Sequence, residues 1–136
     1  MNNLDLNTLL DEQTKEELNI KLTSQNVSIE KYIAKVIKKD LDSYINFKNG
    51  YYFDRNIRRL FDSQENQVPF TKLENDLFNL LLLKRGDIVT YDEIEKFVWK
   101  DLQMSRFTLR NKIRDIRTKT YKGIVKTSSN LGYKID

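Results

Sequence analysis

Thr71 and Thr90 each stand three residues before a glutamate, Glu74 and Glu93, and each opens a run of apolar residues at helical spacing. This is the capping-box pattern, in which the threonine hydroxyl and the glutamate carboxylate each take a backbone N–H at a helix start. Two such starts in close succession require two short helices one after the other. The first sets Leu73, Leu77, Leu80 and Leu81 inward and meets Gly86, which can take the left-handed conformation past a helix end. The second sets Ile94, Phe97 and Val98 inward. A third segment, about residues 105–120, places Leu109, Ile113 and Ile116 on one face. Residues 123–127 and 131–135 then read as two strands joined at 128–130.

Upstream, Asn49-Gly50 is a two-residue hairpin signal flanked by strand-forming residues at 44–47 and 51–53. A third strand is expected at 57–61 and a fourth at 68–70, where Pro69 argues for a short or edge strand. The expectation for residues 43–136 is therefore an α+β domain. It has a four-stranded antiparallel sheet, three helices and a terminal β-hairpin.

Residues 1–42 read as a separate piece. Leu4, Leu6, Thr8 and Leu10 alternate with Asp5, Asn7 and Leu9, which is strand periodicity. Residues 11–23 read as a polar helix with Leu18 and Leu22 as its apolar pair. Ser28 can cap a second helix whose apolar positions are Ile29, Ile33, Val36, Ile37 and Leu41. A piece this small buries too little surface to be stable alone, since chains below ~40 residues usually need a partner, metal or disulfide. Without cysteine, self-association is the expected device. Leu4, Leu6, Leu18, Leu22, Ile29, Ile33, Val36 and Ile37 are the expected dimerisation residues. The order strand, helix, helix resembles a ribbon-helix-helix unit, "LDEQTKEEL" and "SIEKYIAKVIKKDL" being the closest stretches. The alternative is a helical hairpin packed on the rest of the chain. Asp5, Asn7 and Leu9, which such a ribbon would turn toward DNA, include no Arg or Lys. The unit is therefore expected to dimerise and not to read DNA.

Composition removes whole classes of chemistry. The chain has no Cys and no His, which excludes disulfides, thiol nucleophiles, Cys/His zinc sites and histidine acid–base catalysis. Four Gly and one Pro are too few for a Gly-rich phosphate loop. Asp92, Glu93 and Glu95 sit in the first turns of a helix, where dipole and capping account for them. No catalytic constellation shows, so the expectation is no enzyme and no cofactor. The longest apolar stretch is far short of the ~20 residues of a membrane span. The polar, acidic N-terminus is unlike a secretory signal. A soluble cytoplasmic protein without a membrane partner is expected.

Charge is uneven. The chain is net +4 overall, yet residues 1–50 are net −1, residues 51–136 net +5 and residues 103–136 net +7. A basic segment at one end suits a phosphate backbone. It also suits a solvated helix face, and on charge alone the two readings stand level.

Three helices and a hairpin form the winged-helix order. In "FTKLENDLFNLLLLKRGDIVTYDEIEKFVW", "FTLRNKIRDIRTK" and "IVKTSSNLGYKI" the chain resembles the C-terminal DNA-binding domain of OmpR/PhoB-type response regulators. Trp99, the Ile-Arg-Thr-Lys at 116–119 and Gly132-Tyr133 sit where that family would place them. The resemblance implies a winged helix-turn-helix that binds double-stranded DNA as a transcription regulator. The first 42 residues are far too short for a phosphoacceptor receiver, so control by a receiver domain is not expected. The loop at 100–104, which in the family can touch RNA polymerase, is short. The family's wing commonly carries Arg-Gly before its Gly-Tyr, and this chain has Ser129-Asn130 there.

With Leu109, Ile113 and Ile116 inward, about 100° per residue points Phe107, Asn111 and Thr118 outward, with Arg114 close beside them. Arg bonds bidentate to guanine and Asn to adenine, and Thr or Phe can touch a thymine methyl. The expected base readers are Thr108, Arg110, Asn111, Arg114 and Thr118, with Asn111 and Arg114 leading. The expected phosphate contacts are Arg106, Lys112, Arg117 and Lys119 on the helix and Lys122, Lys126 and Lys134 on the wing. The competing reading is an adaptor, in which the winged helix meets a protein and the basic face is incidental.

Overall fold

The computed structural model describes residues 5–100 and 102–136 and divides the chain into two compact units, Met1–Asp42 and Ser43–Asp136. Each is described by itself.

The first unit is helical over its described length. α1 (Leu6–Leu9), α2 (Glu12–Gln25) and α3 (Ile29–Asp42) follow one another. The expected strand is corrected here: Leu6 to Leu9 are helical, and Leu4 lies outside the described residues. The physical reason is Asp5. Its carboxylate accepts from the Asn7 N–H at 3.0 Å, and its carbonyl accepts from the Thr8 and Leu9 N–H groups. A local cap of this kind offers the backbone its bonds without a partner strand. With the strand goes the ribbon of the ribbon-helix-helix reading. Asp11 caps α2 by accepting from the Thr14 N–H at 2.7 Å, a bond that holds its carboxyl below the usual range. Asn26 closes α2 in the left-handed conformation at φ 51°, which Asn tolerates. Ser28 caps α3 through the Lys31 N–H at 3.2 Å.

Leu6, Leu10, Leu18, Tyr32, Ile33 and Val36 line one apolar groove between these helices. No described residue of the unit is buried, and Val36 and Ile37 are 46% and 50% exposed.

The second unit opens with an antiparallel sheet ordered β1 (Tyr44–Asn46), β2 (Tyr52–Asp54) and β3 (Arg59–Phe61). Asn49 and Gly50 turn the first hairpin at φ 59° and 79°, with the Tyr51 N–H bonded to the Lys48 carbonyl at 3.2 Å. Two successive positive φ values are what a type I′ turn requires. The expected fourth strand is corrected to a single bridge between Phe61 and Gln67, beside the Val68 N–H bonded to the Leu60 carbonyl. Pro69, lacking an N–H, cannot extend the ladder.

α4 (Lys72–Leu83) starts at the Thr71–Glu74 capping box, and α5 (Tyr91–Ile94) at the Thr90–Glu93 box. α5 then widens into a π turn over Glu95–Trp99. That turn corrects one core assignment. Ile94, Val98 and Trp99 are buried, while Phe97 is 52% exposed. α6 (Arg106–Lys119) is capped by Ser105, which accepts from the Thr108 N–H at 3.0 Å.

β5 (Lys126–Ser128) and β6 (Gly132–Lys134) form the hairpin, and β4 (Val89–Thr90) pairs with β6 to make a second three-stranded sheet. Gly123 and Ile124, expected as the start of a strand, belong instead to a turn of 3₁₀ helix over Lys122–Ile124. The core runs through the unit from Phe53 and Leu60 of the first sheet, by Leu77, Phe78 and Leu81 of α4, to Leu109, Ile113 and Ile116 of α6 and Tyr133 of the wing. No described helix is long and apolar enough to cross a membrane.

Candidate nucleic-acid interface

α6 owes its orientation to the buried line Leu109, Ile113 and Ile116, each at most 1% exposed. The opposite line carries Phe107, Asn111, Arg114 and Thr118. Phe107, Arg114 and Thr118 are exposed and Asn111 half-exposed. Arg110 is also exposed, on the flank toward the wing, and Thr108 is half-buried beside its cap, 2.9 Å from the Ser105 hydroxyl. The structure therefore brings Arg110, Asn111, Arg114 and Thr118 onto one open strip. Arg114 reaches Asp115 at only 3.4 Å. An exposed pair of that length contributes little, so the guanidinium is free to take another partner.

The two flanks of α6 are tied to the rest of the unit. On one, Arg117 forks onto the wing: its Nε and Nη2 donate to the Val125 carbonyl at 3.1 and 2.7 Å, and Nη2 also donates to the Thr127 hydroxyl at 3.0 Å. On the other, Lys119 forms an ion pair with Glu74, which is 1% exposed, and donates to the Pro69 carbonyl at 2.9 Å. The structure thus turns Arg117 and Lys119 inward, to structural partners. Sequence marked Glu74 as a capping residue only, and the Val125 carbonyl was not singled out. The capping box already explained Glu74, and the contact with Lys119 spans 45 residues.

The other expected phosphate contacts lie around the strip. Arg106 stacks over the Tyr91 ring, 4.3 Å from its centroid. Such stacking holds a guanidinium in place while leaving its N–H edge available. Lys112 is half-exposed and Lys122 exposed. Lys126 and Lys134 share the Asp136 carboxylate, Lys134 at 3.4 Å. The bond from Lys126 chiefly holds the Asp136 carboxyl below the usual range, against an opposing effect of burial and with help from Lys134. Burial pushes the Tyr133 phenol up, Tyr91 adds to this, and Arg117 and Arg110 draw it back. Asn130 turns the wing at φ 63°. Gly132 lets β6 pass close to β4: a Cβ there would lie 1.9 Å from the Val89 carbonyl oxygen.

This arrangement can place a polar, cationic helix face in a groove with a basic hairpin at its side. The family model described as "Transcriptional regulatory protein, C terminal" matches residues 64–135, just over half of the chain. No curated protein matches the chain. Among solved structures, the DNA-binding domain of Bacillus subtilis CssR is 24% identical, over 63% of this chain and 99% of that one, with a TM-score of 0.55. The DNA-binding domain of Klebsiella pneumoniae RstA, solved in complex with the RstA box, is 21% identical over 68% and 95%, with a TM-score of 0.55. The response regulator DrrB of Thermotoga maritima, an OmpR/PhoB homologue, is 17% identical over 93% of this chain and 63% of that one, with a TM-score of 0.57. At these identities the solved structures speak for the fold, and the family match speaks for kinship. The chain belongs to the OmpR/PhoB-type family of DNA-binding domains found at the C-termini of transcriptional regulatory proteins.

Proposed function

We propose that this protein is a sequence-specific regulator of transcription that binds double-stranded DNA as a dimer. α6 enters the major groove, and the β5–β6 wing meets the backbone and minor groove. The observation that carries this reading is the division of labour on α6. Arg117 and Lys119 fix its two flanks, while Arg110, Asn111, Arg114 and Thr118 stay open between them. Asn111 and Arg114 are assigned to base edges. Arg106, Lys112, Lys122, Lys126 and Lys134 are assigned to phosphates. In the same reading, contact with RNA polymerase is assigned to the loop between α5 and α6, where Leu102 is 68% exposed.

Dimerisation is assigned to residues 1–42, now through helices alone. A unit with no buried described residue cannot offset its own chain entropy. A second copy laid on the groove of Leu10, Leu18, Ile33 and Val36 would supply the missing core. Two linked heads would then gain affinity through effective concentration. Sedimentation of the intact chain tests this part. A dimer at micromolar concentration that becomes a monomer in Ile33→Asp supports it, and a wild-type monomer overturns it.

One observation favours the adaptor reading: Leu83 and Phe97, 82% and 52% exposed, lie along one groove with Leu80. Selection of bound duplexes from random DNA decides between the two. Recovery of a common sequence supports base reading, and recovery of none supports the adaptor.

A further inference from the structure

Phe107 is 70% exposed in the first turn of α6. It stands at the head of the line Asn111, Arg114 and Thr118, at offsets of four, seven and eleven residues, which share one helix face. The other members of that line are polar or charged. A benzyl side chain adds nothing to the solubility of such a face, and the core of the unit lies on the opposite side of the helix. What Phe107 can contact is therefore set by whatever the line itself faces.

We propose, on the reading of α6 as a base-reading helix, that Phe107 is a specificity-determining residue that packs on the 5-methyl group of a thymine. Of the features that base pairs present in the major groove, that methyl is the apolar one, and the others are hydrogen-bond donors and acceptors. An aromatic ring makes no hydrogen bond, so it can distinguish base pairs there only through the methyl. Phe107 lies one turn before Asn111, about 6 Å along the helix. That places the thymine within about two base pairs of the base that Asn111 meets, at 3.4 Å per step. Phe107 thus sets an A·T preference at one end of each half-site.

The test uses the full chain and duplexes it has itself selected from random DNA. Each thymine is replaced in turn by deoxyuridine, which removes the methyl and keeps the pairing edge. Wild-type affinity should fall about fourfold at one thymine per half-site, the effect of one buried methyl. Phe107→Ala should bind the thymine duplex about as the wild type binds the deoxyuridine duplex, and should be indifferent to that replacement. Phe107→Leu, still apolar, should keep part of the difference. Fluorescence of the buried Trp99 confirms that each variant is folded. If deoxyuridine costs wild type and Phe107→Ala the same at every position, the assignment of Phe107 is overturned and DNA reading stands. If no sequence is enriched over scrambled duplex, both are overturned.

Discussion

Replacing Lys119 with Met removes one ammonium group and keeps most of the apolar stem. Glu74 would then keep its 1% exposure and lose its charged partner. Among the described residues its remaining hydrogen-bond partner is the Thr71 N–H, at a long 3.4 Å. Breaking a buried pair from one side costs about 3–5 kcal/mol, because the other charge is left buried and uncompensated. The Lys119 side chain is 29% exposed, so water can enter behind it, and the lower end of that range, about 3 kcal/mol, applies. For a domain of this size that is a fall in Tm of about 12–24 °C, at ~4–8 °C per kcal/mol. Urea unfolding followed by Trp99 fluorescence isolates the effect. Trp99 is the only tryptophan, is 4% exposed, and belongs to the unit in question. Adding Glu74→Leu to Lys119→Met should recover most of the loss, since two apolar side chains leave no buried charge. A Lys119→Met protein within about 1 kcal/mol of wild type would refute this account. If that variant instead lowered the salt slope of DNA binding by about one, Lys119 would be a phosphate contact.

Gly132→Ala should cost about 3 kcal/mol and separate β4 from β6, because the added carbon meets the Val89 backbone; thermal unfolding measures it, and a near-neutral effect would contradict the observed strand spacing. Arg117→Met should loosen the wing, seen as faster amide exchange in Lys126–Ser128, with a stability loss of about 1–2 kcal/mol for the lost bonds to Val125 and Thr127. Glu93 is held below its ordinary value of 4.5 mainly by its bond from Lys84 and next by the Thr90 N–H. Its stabilising contribution is therefore complete above that ordinary value and is lost as pH falls through the lower folded-state value. Glu93→Gln should accordingly be less stable than wild type at pH 7 and should converge with it in acid; a gap that persists in acid would contradict the assignment.

What the sequence disclosed was local and periodic. Both capping boxes, the cap at Ser28 and the buried line Leu109, Ile113 and Ile116 depend on residues within a turn or two of each other, and the structure has them. The outward line through Asn111 and Thr118 follows from the same arithmetic. Phe97 was misplaced because a π turn carries more residues per turn than an α-helix, which moves the inward position from Phe97 to Trp99. Leu6 to Leu9 misled because alternation in a short segment competes with a cap one residue upstream, and only Asp5 decided it. The roles of Arg117 and Lys119 were hidden for a different reason. Sequence gives the face a cation occupies on its own helix but not which distant carbonyl or carboxylate lies opposite, and here Val125 and Glu74 take both.

The central claim is base reading by α6 supported by phosphate contacts around it, and one titration series tests it most directly. The full chain is bound to its selected duplex and to a scrambled duplex of the same composition, across salt concentrations. Arg106, Lys112, Lys122, Lys126 and Lys134 on each of two heads predict a log–log salt slope near about −9. At physiological salt the selected duplex should bind at least ~10³-fold more tightly than the scrambled one. Arg114→Ala should erode that ratio while leaving affinity for the scrambled duplex nearly unchanged. Equal affinity for the two duplexes, or a slope near zero, would contradict the account.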